Sequence, residues 1–151
     1  MDNPCVVQAE FETISKRSCP VDRSVGLQKY FFIALGGALG SAARFWVGSV
    51  VTNRTGTRFP FGTLVVNITA CLIIGLSLEV LNRHANLSPS WRFLVPIGFI
   101  GAYSTFSTFE WETFSSITQG AFWIAILYVA TSLVFGLIAV ALGVALAKAI
   151  A

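Results

Sequence analysis

The chain has 151 residues, 55% of them hydrophobic and 11% charged, with a formal net charge of +3. A soluble domain carries about 25% charged residues; with a mean hydropathy of +0.75, the sequence is that of a one-domain integral membrane protein. Its mild positive charge is spread along the chain, which gives nucleic-acid binding no support and suits contact with anionic lipid headgroups near the ends.

Residues 1–29 are polar and mixed in charge, with Lys16, Arg17, Arg23 and Lys29 set against Asp2, Glu10, Glu12 and Asp22. No apolar core of a secretory signal precedes Tyr30, and the acids argue against a transit peptide. We read 1–29 as a mobile tail, with a short interfacial helix near Phe11, and 30–151 as the membrane domain. The first apolar run, about 30–52, is long enough to cross a hydrocarbon core of about 30 Å. Its Gly36/Gly40 and Gly37/Ser41 pairs form small-residue faces where backbones can approach. Arg44 interrupts the run. A charge inside a span marks a function by default, and the alternative is that Arg44 snorkels to the interface.

The polar loop Asn53–Pro60 leads to a second span, about 61–81, which carries Asn67 and Thr69. A buried Asn must find partners. Asn67 either glues helices together or points its NH2 into a pore. Glu79 lies near the far end, within reach of water. A second polar loop holds Arg83 and His84, and Pro89 suits a helix start. Three cysteines (Cys5, Cys19, Cys71) and one histidine have no metal-ligand spacing, and no nucleophile–base pair suggests an enzyme.

The third span, about 91–117, is poor material for a regular helix. Pro96 disturbs it two residues before Gly98. From Gly98 to Glu112 the chain reads GFIGAYSTFSTFEWE, with two glycines, four Ser and Thr residues, and Phe106 and Phe109 three apart. Irregular polar backbone at membrane depth is tolerated only where it is buried in protein or lines a cavity. The stretch is either a broken helix supplying an ion path or a straight helix with a small, hydroxylated packing face. Glu110 and Glu112 read as a solvated helix end. After the turn Thr118-Gln119-Gly120, the fourth span, about 121–147, places Tyr128 and Ser132 on one face. Four spans put both termini on one side. The charge bias around the spans themselves is weak, so insertion in both orientations is compatible with the sequence.

These motifs together resemble the CrcB/Fluc family of fluoride channels. Gly36-Gly37-Ala38-Leu39-Gly40-Ser41-Ala42-Ala43-Arg44-Phe45 is similar to the family's G-G-x-x-G-x-x-x-R-Y/F. Gly62-Thr63-Leu64-Val65-Val66-Asn67 is similar to G-T-L-x-V-N, and Gly98-Phe99-Ile100-Gly101 with Ser104-Thr105-Phe106-Ser107-Thr108-Phe109 to G-x-x-G-x-x-T-T-F-S-T-F. Ser104 stands where Thr is usual, and Ala70 where Gly is common. The resemblance covers about Tyr30 to the C-terminus and implies an all-α membrane protein of four transmembrane helices, the third broken, in the cell membrane as an antiparallel, dual-topology homodimer.

The resemblance also implies two fluoride pores per dimer. Asn67, Phe106 and Phe109 would line them, Ser107 and Thr108 would add hydroxyls, and Tyr128 and Ser132 would continue the polar track. Arg44 would lie at a vestibule and Glu112 near a pore end. The carbonyls of Gly101 and Ser104 would bind a structural Na+ at the centre. The residue types suit the ion: Asn NH2 and hydroxyl donors can replace its water, and the positive edge of a phenyl ring attracts an anion without trapping it. The competing reading is a small proton-coupled multidrug-type transporter, which needs an acid in the middle of a span. Glu79, Glu110 and Glu112 all read as lying toward span ends.

Overall fold

The computed structural model describes residues 23–84, 87–88 and 90–150, except for the side chains of 23–25. The described residues are helical, joined by short turns. Helix α1 spans Arg23–Thr55, α2 Phe61–Arg83 and α6 Phe122–Ile150. These three are long and apolar enough to cross a membrane. Between α2 and α6 the chain is in pieces: the turn α3 (Ser90–Arg92), a π-helical segment (Phe93–Ile100), the turn α4 (Gly101–Tyr103) and α5 (Phe106–Thr118).

Helix α1 begins at Arg23, ahead of the apolar run that starts at Tyr30. Leu27, Gln28 and Lys29 are good helix formers, and the helix continues past the apolar run. Its 33 residues measure about 50 Å, more than a hydrocarbon core requires. The expected helix near Phe11 and the helix start at Pro89 lie outside the described residues. Gly56, at a φ of 58°, and Gly120, at 78°, supply the left-handed residues that end α1 and turn the chain into α6.

Apolar periodicity has little to sort here, because every face meets either protein or lipid. Small residues decide the packing instead. Helix α1 lies along the π-helical segment, and α6 along α2. A Cβ at Gly36 would overlap the Leu94 carbonyl oxygen, one at Gly40 that of Phe99, and one at Gly143 that of Leu72. The π segment is where Pro96 sits. Proline has no N–H to return to the preceding turn, and the ladder takes the wider π pitch there.

Two small apolar clusters flank the break in the third segment. Val66, Ala70, Ile100 and Tyr103 form one, packed against Phe99 and Ala43. Leu64, Phe109 and Tyr128 form the other, against Phe59 and Val129. Helix α2 contributes to both and so forms the spine on which the break is mounted.

The glycine contacts give a paired test. Gly36→Ala and Gly40→Ala press a methyl group on backbone and are expected to cost about 1–3 kcal/mol each. At Gly37 a Cβ meets only the Ala102 methyl at 4.0 Å, so Gly37→Ala is expected to be neutral. Thermal unfolding of the purified variants in detergent checks the difference.

Candidate functional site

The non-helical part of the third segment is two residues long. Ser104 has φ −72° and ψ 150°, and Thr105 has φ −143° and ψ 107°. The Ser104 N–H still donates to the Ile100 carbonyl at 2.9 Å. The Thr105 N–H, which in a continuous helix would donate to the Gly101 carbonyl, instead donates to Asn67 Oδ1 at 3.0 Å. The Ser104 hydroxyl donates to the same oxygen at 3.2 Å. Asn67 Nδ2 donates to the Thr105 carbonyl at 3.4 Å. Two donors converging on one atom of the carboxamide identify that atom as its oxygen.

Thr105 then starts α5. Its Oγ1 accepts from the Thr108 N–H at 3.3 Å, as an N-cap does, and donates to Thr108 Oγ1 at 2.9 Å. The helix is broken here, and Asn67 bonds to both residues of the break. The second N–H of its NH2 has no acceptor among the described residues, and Gly101 stands exposed with open space on its Cβ side.

Beyond the break, Phe109 is 8% exposed and Phe106 74%. Their ring centroids lie 6.0 Å apart at 36°. Ser107 is exposed and Thr108 half-buried. A cavity of about 420 Å³ with a mixed polar and apolar lining runs between α1, α2 and the start of α5; Arg44, Phe45, Thr63, Val66, Thr105 and Thr108 are among its walls. Arg44 thus faces this cavity and is half-buried, and among the described residues it has no ion-pair partner.

Glu112 differs from its expectation as a solvated acid. It is half-buried, and its two oxygens accept from Thr63 Oγ1 and Tyr128 Oη, each at 2.8 Å. Glu110 is exposed, as expected. Tyr128 is fully buried, its ring 5.0 Å from Phe109 and 5.6 Å, edge-on, from Phe59. Ser132 is not joined to it by a hydrogen bond: Tyr128 turns to Glu112, and Ser132 Oγ is buried without a partner among the described residues. A smaller, polar cavity of about 230 Å³ opens beside Glu112 and Arg58. Glu79 pairs with Arg83 at 2.7 Å, one helical turn away.

The structure thus gathers Asn67, Ser104 and Thr108 at the break, and Glu112 with Tyr128 behind Phe109. Thr63 and Thr105 carry contacts that were not singled out from sequence. For Thr105 the signal was present, since a hydroxyl three residues before Thr108 at the start of a helix is a capping pattern. For Thr63 no local pattern exists, because its partner is 49 residues away.

This is a multi-pass helical membrane protein whose broken helix borders a cavity, the setting in which irregular backbone is tolerated at membrane depth. Residues 31–144 match the family described as CrcB-like protein, Camphor Resistance (CrcB), and the chain belongs to that family. It is 54% identical over 115 residues, 76% of this chain and 92% of the relative, to a fluoride-specific ion channel FluC of Acidobacterium capsulatum. A protein of the same name from Solibacter usitatus is 46% identical over 80% of this chain and 98% of its own length. Another, from Citrifermentans bemidjiense, is 41% identical over 82% of this chain and its whole length.

The hydrogen bonds to Asn67 predict a stability cost. Asn67→Leu keeps the volume but leaves the Thr105 N–H and the Ser104 hydroxyl without their acceptor, and is expected to destabilise the protein by about 1–3 kcal/mol. Unfolding in detergent measures it, and an unchanged midpoint would contradict the geometry.

Proposed function

We propose that the chain is the subunit of a fluoride-selective passive channel of the cell membrane, through which toxic fluoride leaves the cell. The observation that carries this reading is the 54% identity, over 92% of its length, to a relative named as a fluoride-specific ion channel. The chemistry of the site supports it. Fluoride is small and strongly hydrated, so its path must supply donors in place of water. The free N–H of Asn67 and the hydroxyls of Ser107, Thr108 and Ser132 are such donors. Ser132 Oγ, buried and without a partner among the described residues, has a hydrogen bond left to donate.

Phe106 and Phe109 line the path with ring edges, which attract an anion weakly enough to release it. The cavity beside Arg44 is the vestibule, where a single cation concentrates anions without holding them in the narrow part. Tyr128 continues the polar track, and Glu112 with its two hydroxyl partners marks a pore end. Segment Ser90–Thr118 serves as the third of four spans, broken at Ser104-Thr105. Two copies pair antiparallel, one in each orientation. The 74% exposure of Phe106 on the single chain supports a pore that a second subunit completes.

Na+ is the cation that the family resemblance implies at the centre of such a dimer. The residues present fit it. Thr105 N–H is diverted to Asn67, so the Gly101 carbonyl is released from its helical donor, and the extended Ser104 carries a second carbonyl at the break. A hard cation favours such oxygens. Gly101 and Ser104 would hold the ion, which would fix the two breaks against each other.

Half-burial of Glu112 is the one feature that favours a proton-coupled transporter instead. The two readings separate in liposomes loaded with potassium fluoride and made permeable to potassium with valinomycin. The channel reading predicts rapid fluoride release, no chloride release, and no requirement for a pH gradient. Phe106→Ala, whose ring is exposed on the single chain, is expected to fold normally and to lose at least about tenfold of the flux; Asn67→Ala is expected to lose as much per folded protein. Full flux in both folded variants would overturn the site, and release driven only by a pH gradient would favour the transporter.

A further inference from the structure

The break is gripped by α2 at a second polar point, one residue before Ser104. Tyr103 is 5% exposed, within the cluster of Val66, Ala70 and Ile100. Its ring stacks on Phe99, centroids 5.6 Å apart at 13°. Its hydroxyl lies 2.8 Å from Thr69 Oγ1. Thr69 Oγ1 is also 2.8 Å from the Val65 carbonyl and 3.0 Å from that of Val66. A threonine has one hydroxyl proton, and those carbonyls can only accept. The Thr69 proton is therefore committed to its own helix, and Tyr103 must be the donor to Thr69.

We infer that Tyr103, held by Thr69, is a positioning residue that sets the orientation of the Ser104–Thr105 break toward the ion path. Asn67 alone holds residues 104 and 105 through one side chain, about which the short turn α4 could still rotate. A second attachment at residue 103, made to the same helix, removes that rotation. The hydroxyl of Tyr103 is buried in an apolar cluster and satisfied only by Thr69, so the geometry is specific: a tyrosine turned elsewhere would lose its partner. Neither residue touches the ion path. Their effect passes through the direction of the Ser104 carbonyl and of the Asn67 amide that the break engages.

The flux consequence rests on the channel reading, and two measurements keep the two claims apart. The first is hydrogen exchange of the backbone amides of Ser104–Phe106 in the purified protein. In Tyr103→Phe and in Thr69→Val these amides are expected to exchange about tenfold faster than in the wild type, and in Thr69→Ser, which keeps the acceptor, within about twofold of it. The second is fluoride release from liposomes, normalised to folded protein. Tyr103→Phe and Thr69→Val are expected to slow it by about tenfold, the double variant to be no slower than either, and Thr69→Ser to release at nearly the wild-type rate. Unchanged exchange and unchanged flux in folded Tyr103→Phe and Thr69→Val would overturn the inference. So would Thr69→Ser behaving like Thr69→Val, since the hydroxyl would then be irrelevant. Faster exchange in a protein whose wild type releases no fluoride would uphold the positioning and defeat the channel reading.

Discussion

The bond from the Thr105 N–H to Asn67 Oδ1 is the constraint on which the rest depends. A backbone that leaves the helical ladder in a membrane loses water as a fallback partner, and each unsatisfied group costs several kcal/mol. One asparagine on a neighbouring helix makes the departure stable by accepting from two residues and donating to one. The exchange leaves a carbonyl released at Gly101, a capped helix start at Thr105, and a spare N–H on Asn67. Each is a polar group made available at depth without any formal charge.

Such a break can be used only if its surroundings hold it still. The glycines at 36, 40 and 98 let α1 lie against the π-helical segment at backbone distance, and the two apolar clusters hold Tyr103 on one side of the break and Phe109 on the other. Helix α2 is common to both clusters and carries Asn67 and Thr69. A rigid helix thus carries the polar contacts, and the irregular segment supplies the groups they orient. Placing the strong charges apart follows the same logic. Arg44 lines the cavity and Glu112 is held by two hydroxyl donors, so neither charge is hydrogen-bonded to the Ser104–Thr105 break among the described residues.

Much of this was legible in the sequence because it is local. A hydroxyl-rich, glycine-punctuated run after Pro96 cannot make a good lipid-facing helix, and the break falls inside it. Its exact place was less legible. Gly101 was a natural breaker, yet Gly101 stays helical and the extended residues are Ser104 and Thr105, since the acceptor on α2 chooses which amide leaves the ladder. The partners of Glu112 were hidden for the same reason. Its spacing from Glu110 reads as a helix end, while the hydroxyls that bind it come from 49 residues before and 16 after. Helix α1 extends beyond the apolar run because hydropathy marks where a chain meets lipid, and a helix made of good formers does not stop at that boundary.

The central claim is that this arrangement passes fluoride and rejects chloride. Current across a planar bilayer containing the purified protein tests it most directly, with a fluoride gradient imposed and chloride equal on both sides. The account predicts that the current reverses at the fluoride equilibrium potential, because fluoride carries it. Reversal at zero, or a current that follows an imposed chloride gradient, would contradict it.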